Sequence, residues 1–472
     1  MKSILDLDAT SLSAKIKENQ ITPKEAVKAY IEQIRTTHPK INAITEERFD
    51  AALAEAEQMS SGPKKGKLFG VPISVKECFH VKGTKTTGGL HTRTHMVDEE
   101  DAEIIRRLKR EGAIILCKTN TPALCFCQET DNLLFGRTNN PWDLSCSAGG
   151  SSGGEGALIA VGGAAVGIGA DIGGSIRFPA HFNGVIGFKS GFGQVPHEGI
   201  FPPIYHSIQQ SMLGIGAIAK SVDDAKLIHE IISGQSVPET TICDFSVIIP
   251  EVPPALPIQQ ETDAYLAKIR AHLEKTVPID RDPPPYLAES ARWWQWIMSV
   301  DGSQYLIEKI METRMRHVVI DWLKAKAGLS HRLHPYLSWS LIGSRLFKPT
   351  ATEWNKFMKV FAYAKTEVQN YLQSRVLILP VYHSTAPVHG KQYREIFSVR
   401  RTFRRFLPFI TYANTFGLPS LTIPVGEGEN GMPLAVQLIT TTGQENHLFL
   451  LGKELERNFR GYVRCNKHDH GV

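Results

Sequence analysis

The chain has 472 residues, of which 42% are hydrophobic and 21% charged, and a net charge of +5. That is enough apolar material for an extensive core, which excludes a disordered or fibrous chain. Lys and Arg are scattered among the acids and form no block or aromatic-interleaved stripe, so no nucleic-acid partner is expected.

At the N-terminus, MKSILDLDATSLSAKIK puts Asp6 and Asp8 where a secretory signal needs an unbroken apolar region, and no later apolar run is long enough to span a bilayer. A cytoplasmic location is expected. ITPKEAVKAYIEQI opens with Thr22 as N-cap, Pro23 at the first helical position and Glu25 as capping-box partner, and Val27, Tyr30, Ile31 and Ile34 then form a helical stripe. GVPISVKECF has the β-branched enrichment of a strand. DAEIIRRLKREG predicts a helix from Asp101 to a stop at Gly112, and AIILCKT predicts the next strand. Strand, helix, strand is a βαβ unit.

Gly149 to Gly187 is dense in glycine, so backbone must approach something closely there. Beyond about residue 245 come Pro-rich joints (EVPPALP, DPPPY) and amphipathic helical segments with Trp293, Trp294 and Trp296. The core pattern resumes with VLILP at 376–380, then GLPSLTIPVG, PLAVQLI and a last helix containing Leu448, Leu450, Leu451 and Leu455. The expected fold class is α/β: one large domain over 1–472, a mixed twisted sheet with helices on both faces. Its core spans about 65–245 and 370–460, with a helical insertion at about 246–370.

The seven cysteines (Cys78, Cys117, Cys125, Cys127, Cys146, Cys243 and Cys465) are odd in number and include no CxxC at zinc-ligand spacing. They read as reduced thiols, and no metal or cofactor is expected.

In SAGGSSGGEGA, glycine pairs flank Ser151 and Ser152 on both sides; DIGGSIRFPA follows and carries Ser175. The amides of Ile172, Gly173, Gly174 and Ser175 can converge into an anion-binding nest beside the Ser175 hydroxyl, as a tetrahedral oxyanion requires. A serine hydroxyl needs a proton acceptor, and neither serine segment contains the usual histidine. Lysine substitutes if neutral, and burial beside an apolar strand favours the neutral amine. Strand alternation puts Lys76 on the same face as Ser74, which invites a Ser175–Ser151–Lys76 relay.

Other readings compete. The GxSxG spacing around Ser151 and Ser152 fits a nucleophile elbow with a downstream histidine such as His383. Cys125 and Cys127 are alternative nucleophiles, although thiols among apolar neighbours usually pack. The WWQW cluster and HPYLSWSLIGSRLFK form either a membrane-docking surface or packed helices with snorkelling basic ends.

GVPISVKECF, GRTNNPWD, GGSSGGEGAL, GADIGGSIRFPAHFNGVIGFK and NTFGLPSLTIPVG stand in an order that resembles the amidase signature family, with fatty-acid amide hydrolases closest in appearance. The resemblance covers most of the chain. Departures are Ala148 before the first glycine pair, Ser190 after FK, and GAIAK at 216–220. The resemblance implies a hydrolase of acyl amides, with fatty-acid amides as the substrate class and an insertion that shapes the acyl pocket. It makes Lys76 the base, Ser151 the bridging serine on a cis peptide, Ser175 the acylated nucleophile, and the amides from Ile172 to Ser175 the oxyanion hole. Cys125 would contact substrate through its main chain, and Ser152, Asp171 and Arg177 would support the loop. The amidase component of a glutamine-dependent amidotransferase shares these motifs. Homodimer formation and peripheral membrane contact stay open.

Overall fold

The computed structural model describes residues 3–398 and 400–469. Its frame is one mixed sheet of 11 strands. In chain order these are β1 (Ile44–Glu47), β2 (Pro72–Lys76), β3 (Ile114–Thr119), β4 (Val166–Asp171), β5 (Ile186–Lys189), β6 (Gly214–Ala219), β7 (Ser246–Ile248), β8 (Ile279–Asp280), β9 (Arg375–Pro380), β10 (Ser420–Glu427) and β11 (Pro433–Ile439). Across the sheet they run β1-β3-β2-β4-β6-β5-β10-β11-β9-β7-β8.

β2 pairs in parallel with both β3 and β4. From β4 through β6, β5, β10, β11 and β9, the pairing is antiparallel. PISVK, IILCKT and VGIGAD are buried at every residue, as parallel strands covered on both faces must be. Lys76 pairs with Thr119, and Val75 with Ile168. The register therefore gathers the last residues of three parallel strands, Lys76, Thr119 and Asp171, at one end of the sheet. In open α/β sheets, the crevice beyond such carboxyl ends is where ligands bind.

The helix Pro23–Ile41 carries the expected capping box: Glu25 N–H donates to Thr22 Oγ1 at 3.2 Å, and Thr22 N–H donates to Glu25 Oε2 at 2.8 Å. The helix Glu103–Arg110 stops before Gly112, whose φ of +86° is left-handed. Two short buried helices, Gly153–Ala160 and Arg177–Asn183, follow the two serine segments, and Glu445–Asn458 closes the fold.

The stretch expected as a helical insertion is not all helix. β7 and β8 fall inside it and extend the sheet beyond β9, because a short apolar run, SVI, finds an open strand edge. The helical part includes Gln260–Leu273, Leu287–Met298, Met315–Lys326, Pro335–Leu346 and Ala351–Tyr371. Trp293 and Trp294 are buried, so those two tryptophans pack, while Arg292 lies 4.1 Å over the half-buried Trp296 ring. Helix Pro335–Leu346 buries Leu337 and Leu341 and leaves Leu346 exposed. Among the described residues, no helix is long and apolar enough to cross a membrane.

Candidate active site

Strand alternation turns Ser74 and Lys76 toward the segment that leads into helix Gly153–Ala160. Lys76 is 1% exposed, and its Nζ donates to Ser151 Oγ at 2.7 Å and to the Ala170 carbonyl of β4 at 3.3 Å. The Gly150–Ser151 peptide is cis. Ser152 N–H donates to the Ser175 carbonyl at 3.1 Å, which ties the two serine segments together. Lys76, Ser151 and Ser175 line one cavity. Among the described residues, none hydrogen-bonds the Ser175 hydroxyl, so that hydroxyl faces the cavity while Ser151 is held by the lysine.

The loop after β4 turns at Gly174, where φ is +95° and a Cβ would come within 2.6 Å of Ile410 and 2.7 Å of Phe178. Of the four amides expected to point at an anion, one is diverted. Gly174 N–H donates to Asp171 Oδ1 at 2.8 Å, because that carboxylate reaches back under its own loop. The amides of Ile172, Gly173 and Ser175 have no acceptor among the described residues. Two neighbours hold this arrangement from the carbonyl side: Trp294 Nε1 donates to Ile172 O at 2.7 Å, and Gln128 Nε2 donates to Gly173 O at 3.3 Å.

Beneath the loop lies a buried ion pair. Arg177 Nε donates to Asp171 Oδ2 at 3.0 Å, and its Nη2 donates to Oδ1 at 3.1 Å, with both side chains fully buried. Arg177 Nη1 also donates to Ile410 O at 2.7 Å and Gln437 Oε1 at 2.8 Å, while Asn414 Nδ2 donates to Asp171 Oδ1 at 2.8 Å. Burial alone would raise the Asp171 carboxyl, but Arg177, Lys189 and Asn414 outweigh it and hold the group well below the usual carboxylate range. The cluster fastens the loop to β11 and to helix Pro408–Thr415.

Two buried carboxyls escape sequence reasoning. Glu155 Oε2 accepts from Ser74 Oγ at 2.5 Å and its Oε1 accepts from Thr119 Oγ1 at 2.7 Å; burial raises it to about 8, opposed by those hydroxyls and by Lys76. A carboxyl protonated at neutral pH sets no anion beside Lys76. Its recess exists because Gly167 has no side chain: a Cβ there would lie 2.0 Å from Glu155 Oε2. Glu77, next to Lys76, is raised to about 7 by burial and accepts from Gly88 N–H at 3.0 Å. The available signal for Glu155 was an acid inside a glycine-rich helix start, GGEGAL.

The competing nucleophiles fare differently. His383 Nε2 lies 3.3 Å from Glu395 Oε2 and does not line the cavity, and the buried Ser152 hydroxyl has no partner among the described residues, so no histidine activates an elbow serine. The Cys127 thiol is raised by burial. Cys125 lines the cavity and has a left-handed φ of +61°; its thiol is lowered by the Cys78 thiol, against burial, with Lys76, Ser151 and Thr121 adding to the effect. The Cys125 carbonyl accepts no hydrogen bond among the described residues, which leaves it open to a ligand. The cavity is also lined by the apolar Phe126, Trp294, Leu306, Trp339, Phe403 and Leu407, with polar groups such as Gln295, Asp301 and Ser340 among them.

A family model described as Amidase matches residues 25–449. Fatty-acid amide hydrolase 2-A of Danio rerio is 31% identical over an alignment covering 98% of this chain and 91% of that protein. A glutamyl-tRNA(Gln) amidotransferase component of Lactobacillus gasseri is 27% identical, with 98% of each chain covered. A solved structure described as a crystal structure of amidase superposes with a TM-score of 0.79 at 25% identity, covering 96% of this chain and 100% of that one.

Proposed function

Since the chain belongs to the amidase signature family and is a hydrolase of amide C–N bonds, we propose that it cleaves fatty-acyl amides through an acyl-Ser175 intermediate, with Ser151 and Lys76 relaying the proton. The observation that carries this reading is the 2.7 Å hydrogen bond between Lys76 Nζ and Ser151 Oγ, in the same cavity as Ser175, whose hydroxyl has no partner among the described residues.

In the acylation step, which requires the Ser175 hydroxyl to come within hydrogen-bond reach of Ser151 Oγ, Ser175 Oγ attacks the amide carbonyl as its proton passes to Ser151 Oγ and the Ser151 proton passes to the Lys76 amine. Negative charge develops on the carbonyl oxygen, where the amides of Ile172, Gly173 and Ser175 can receive it without reorganising. The C–N bond then breaks as the relay runs in reverse and protonates the nitrogen, which an amide requires because its leaving group is so basic. Water, deprotonated by the same relay, attacks the acyl-serine, and the tetrahedral intermediate collapses as the relay returns that proton to Ser175 Oγ, releasing the acid and regenerating the hydroxyl.

The acyl specificity rests on two supports: the apolar residues of the cavity lining, and full-length similarity to a protein described as a fatty-acid amide hydrolase. A panel of primary acyl amides of graded chain length, run with the wild type and Ser175→Ala, tests it. Long-chain amides should be turned over fastest by the purified chain alone, and Ser175→Ala should be silent on all of them. A preference for short or aromatic acyl groups would overturn the fatty-acyl assignment, and a requirement for a partner protein would favour the amidotransferase reading.

A further inference from the structure

One residue of the cavity lining carries a polar atom with no assigned work. Gln128 is 6% exposed and lines the cavity, and its Oε1 is buried with no hydrogen-bond partner among the described residues, while its Nε2 donates to Gly173 O at 3.3 Å. Leaving a buried amide oxygen unpaired costs about 1–3 kcal/mol, so such an atom on a residue that lines a ligand cavity calls for a donor supplied when ligand binds.

Its position is fixed from both sides. Thr130 Oγ1 donates to Gly149 O at 2.9 Å and accepts from Gly153 N–H at 3.1 Å, which clamps the segment to the loop carrying Ser151. Next to Gln128, Glu129 accepts from Gly390 N–H at 2.7 Å and Tyr393 N–H at 2.8 Å. Gly150 packs on the same backbone, where a Cβ would come within 2.7 Å of the Gln128 carbonyl carbon. Gln128 therefore bridges the two loops that carry Ser151 and Ser175, and the Nε2 bond to Gly173 determines that the oxygen is the free end of its amide.

We propose that Gln128 Oε1 accepts the hydrogen bond of the scissile amide N–H and so makes Gln128 a specificity-determining residue that favours N–H amides over esters and fully substituted amides. The proposal rests on the acyl-Ser175 reading. When Ser175 attacks, the nitrogen becomes pyramidal, and it is protonated only if its lone pair faces the proton held by Ser151. An N–H anchored on Gln128 turns the lone pair toward that proton. An ester offers no N–H and needs no such anchoring. The Nε2 bond to Gly173 serves the oxyanion, which forms from esters and amides alike, so its loss depresses both.

The test uses one fatty-acyl chain presented as a primary amide, an N,N-dimethyl amide and a methyl ester, with Gln128→Leu and Gln128→Met as near-isosteric variants that remove the acceptor. In both variants, the primary-amide to methyl-ester ratio of kcat/KM should fall about tenfold, the worth of one hydrogen bond, while the dimethyl-amide to ester ratio stays at its wild-type value. Equal losses on primary amide and ester, or an unchanged ratio, would overturn the proposal. Fluorophosphonate labelling of the wild type, mapped by mass spectrometry, separately checks Ser175: labelling elsewhere refutes the acyl-Ser175 reading, whereas the substrate ratios report on Gln128.

Discussion

The two walls of the cavity are built on different principles. On the sheet side, Lys76, Ser151 and Asp171 are held by directional bonds between buried polar groups, several of them charged or short of a partner if any neighbour is lost. On the helical side, Trp294, Leu306 and Trp339 meet the cavity mainly by packing, and the Trp294 Nε1 bond to Ile172 O at 2.7 Å is one link between the two sides. Directional bonds fail all at once when a member is removed, whereas apolar contacts yield by degrees. Changes on the sheet side should therefore abolish turnover or folding, and changes on the helical side should alter which acyl group is accepted.

The largest effects should come from the relay. Ser175→Ala and Lys76→Ala should each lower kcat by at least about a thousandfold, while thermal melting confirms that both remain folded; turnover near the wild type by either would remove the distinction between the walls. Next comes the buried pair beneath the loop. Arg177→Ala leaves the Asp171 carboxylate buried and unpaired, and should cost about 3–5 kcal/mol of stability, read by urea unfolding. A loss no greater than that of a surface arginine would show that the cluster is not what fastens the loop.

Across the cavity, Leu306→Trp should shift the preferred acyl chain toward shorter lengths and lower kcat/KM for long chains roughly tenfold, with little change for short ones; a uniform loss along the series would mean that this wall does not sort substrates. The smallest effect concerns pH. Glu155 is raised to about 8 from its ordinary value of 4.5, so between those values the native state holds a proton that the unfolded chain releases. Its contribution to stability is therefore present at low pH and is lost as pH rises toward 8. Replacing it with neutral glutamine removes that dependence. The stability of wild type relative to Glu155→Gln, measured by melting at pH 7 and pH 8, should fall by about 1 kcal/mol, and a difference independent of pH would contradict the assignment.

How much of this was legible in the sequence follows from which forces act locally. The capping box of Thr22 and Glu25 and the burial of β2 and β3 depend on neighbours a few residues apart, and they read correctly. The grouping of Lys76 with Ser151 came from the order of motifs, and strand register supplied the geometry. Trp294 on Ile172, Gln128 on Gly173 and Glu155 on Ser74 join segments 122, 45 and 81 residues apart, and no periodicity reports such pairings. β7 and β8 escaped because strands of 3 and 2 residues leave no alternation to detect. The diversion of Gly174 N–H to Asp171, three residues earlier, was local yet hidden, since it depends on the side chain folding back under its own loop.

The central claim is that the acyl group is carried on Ser175 and on no other side chain. Rapid-quench mass spectrometry during turnover of a long-chain amide tests it most directly. The acyl mass should appear on the peptide containing Ser175 and be absent when Ser175 is alanine. Acylation of Ser151, Ser152 or Cys125 instead would contradict it.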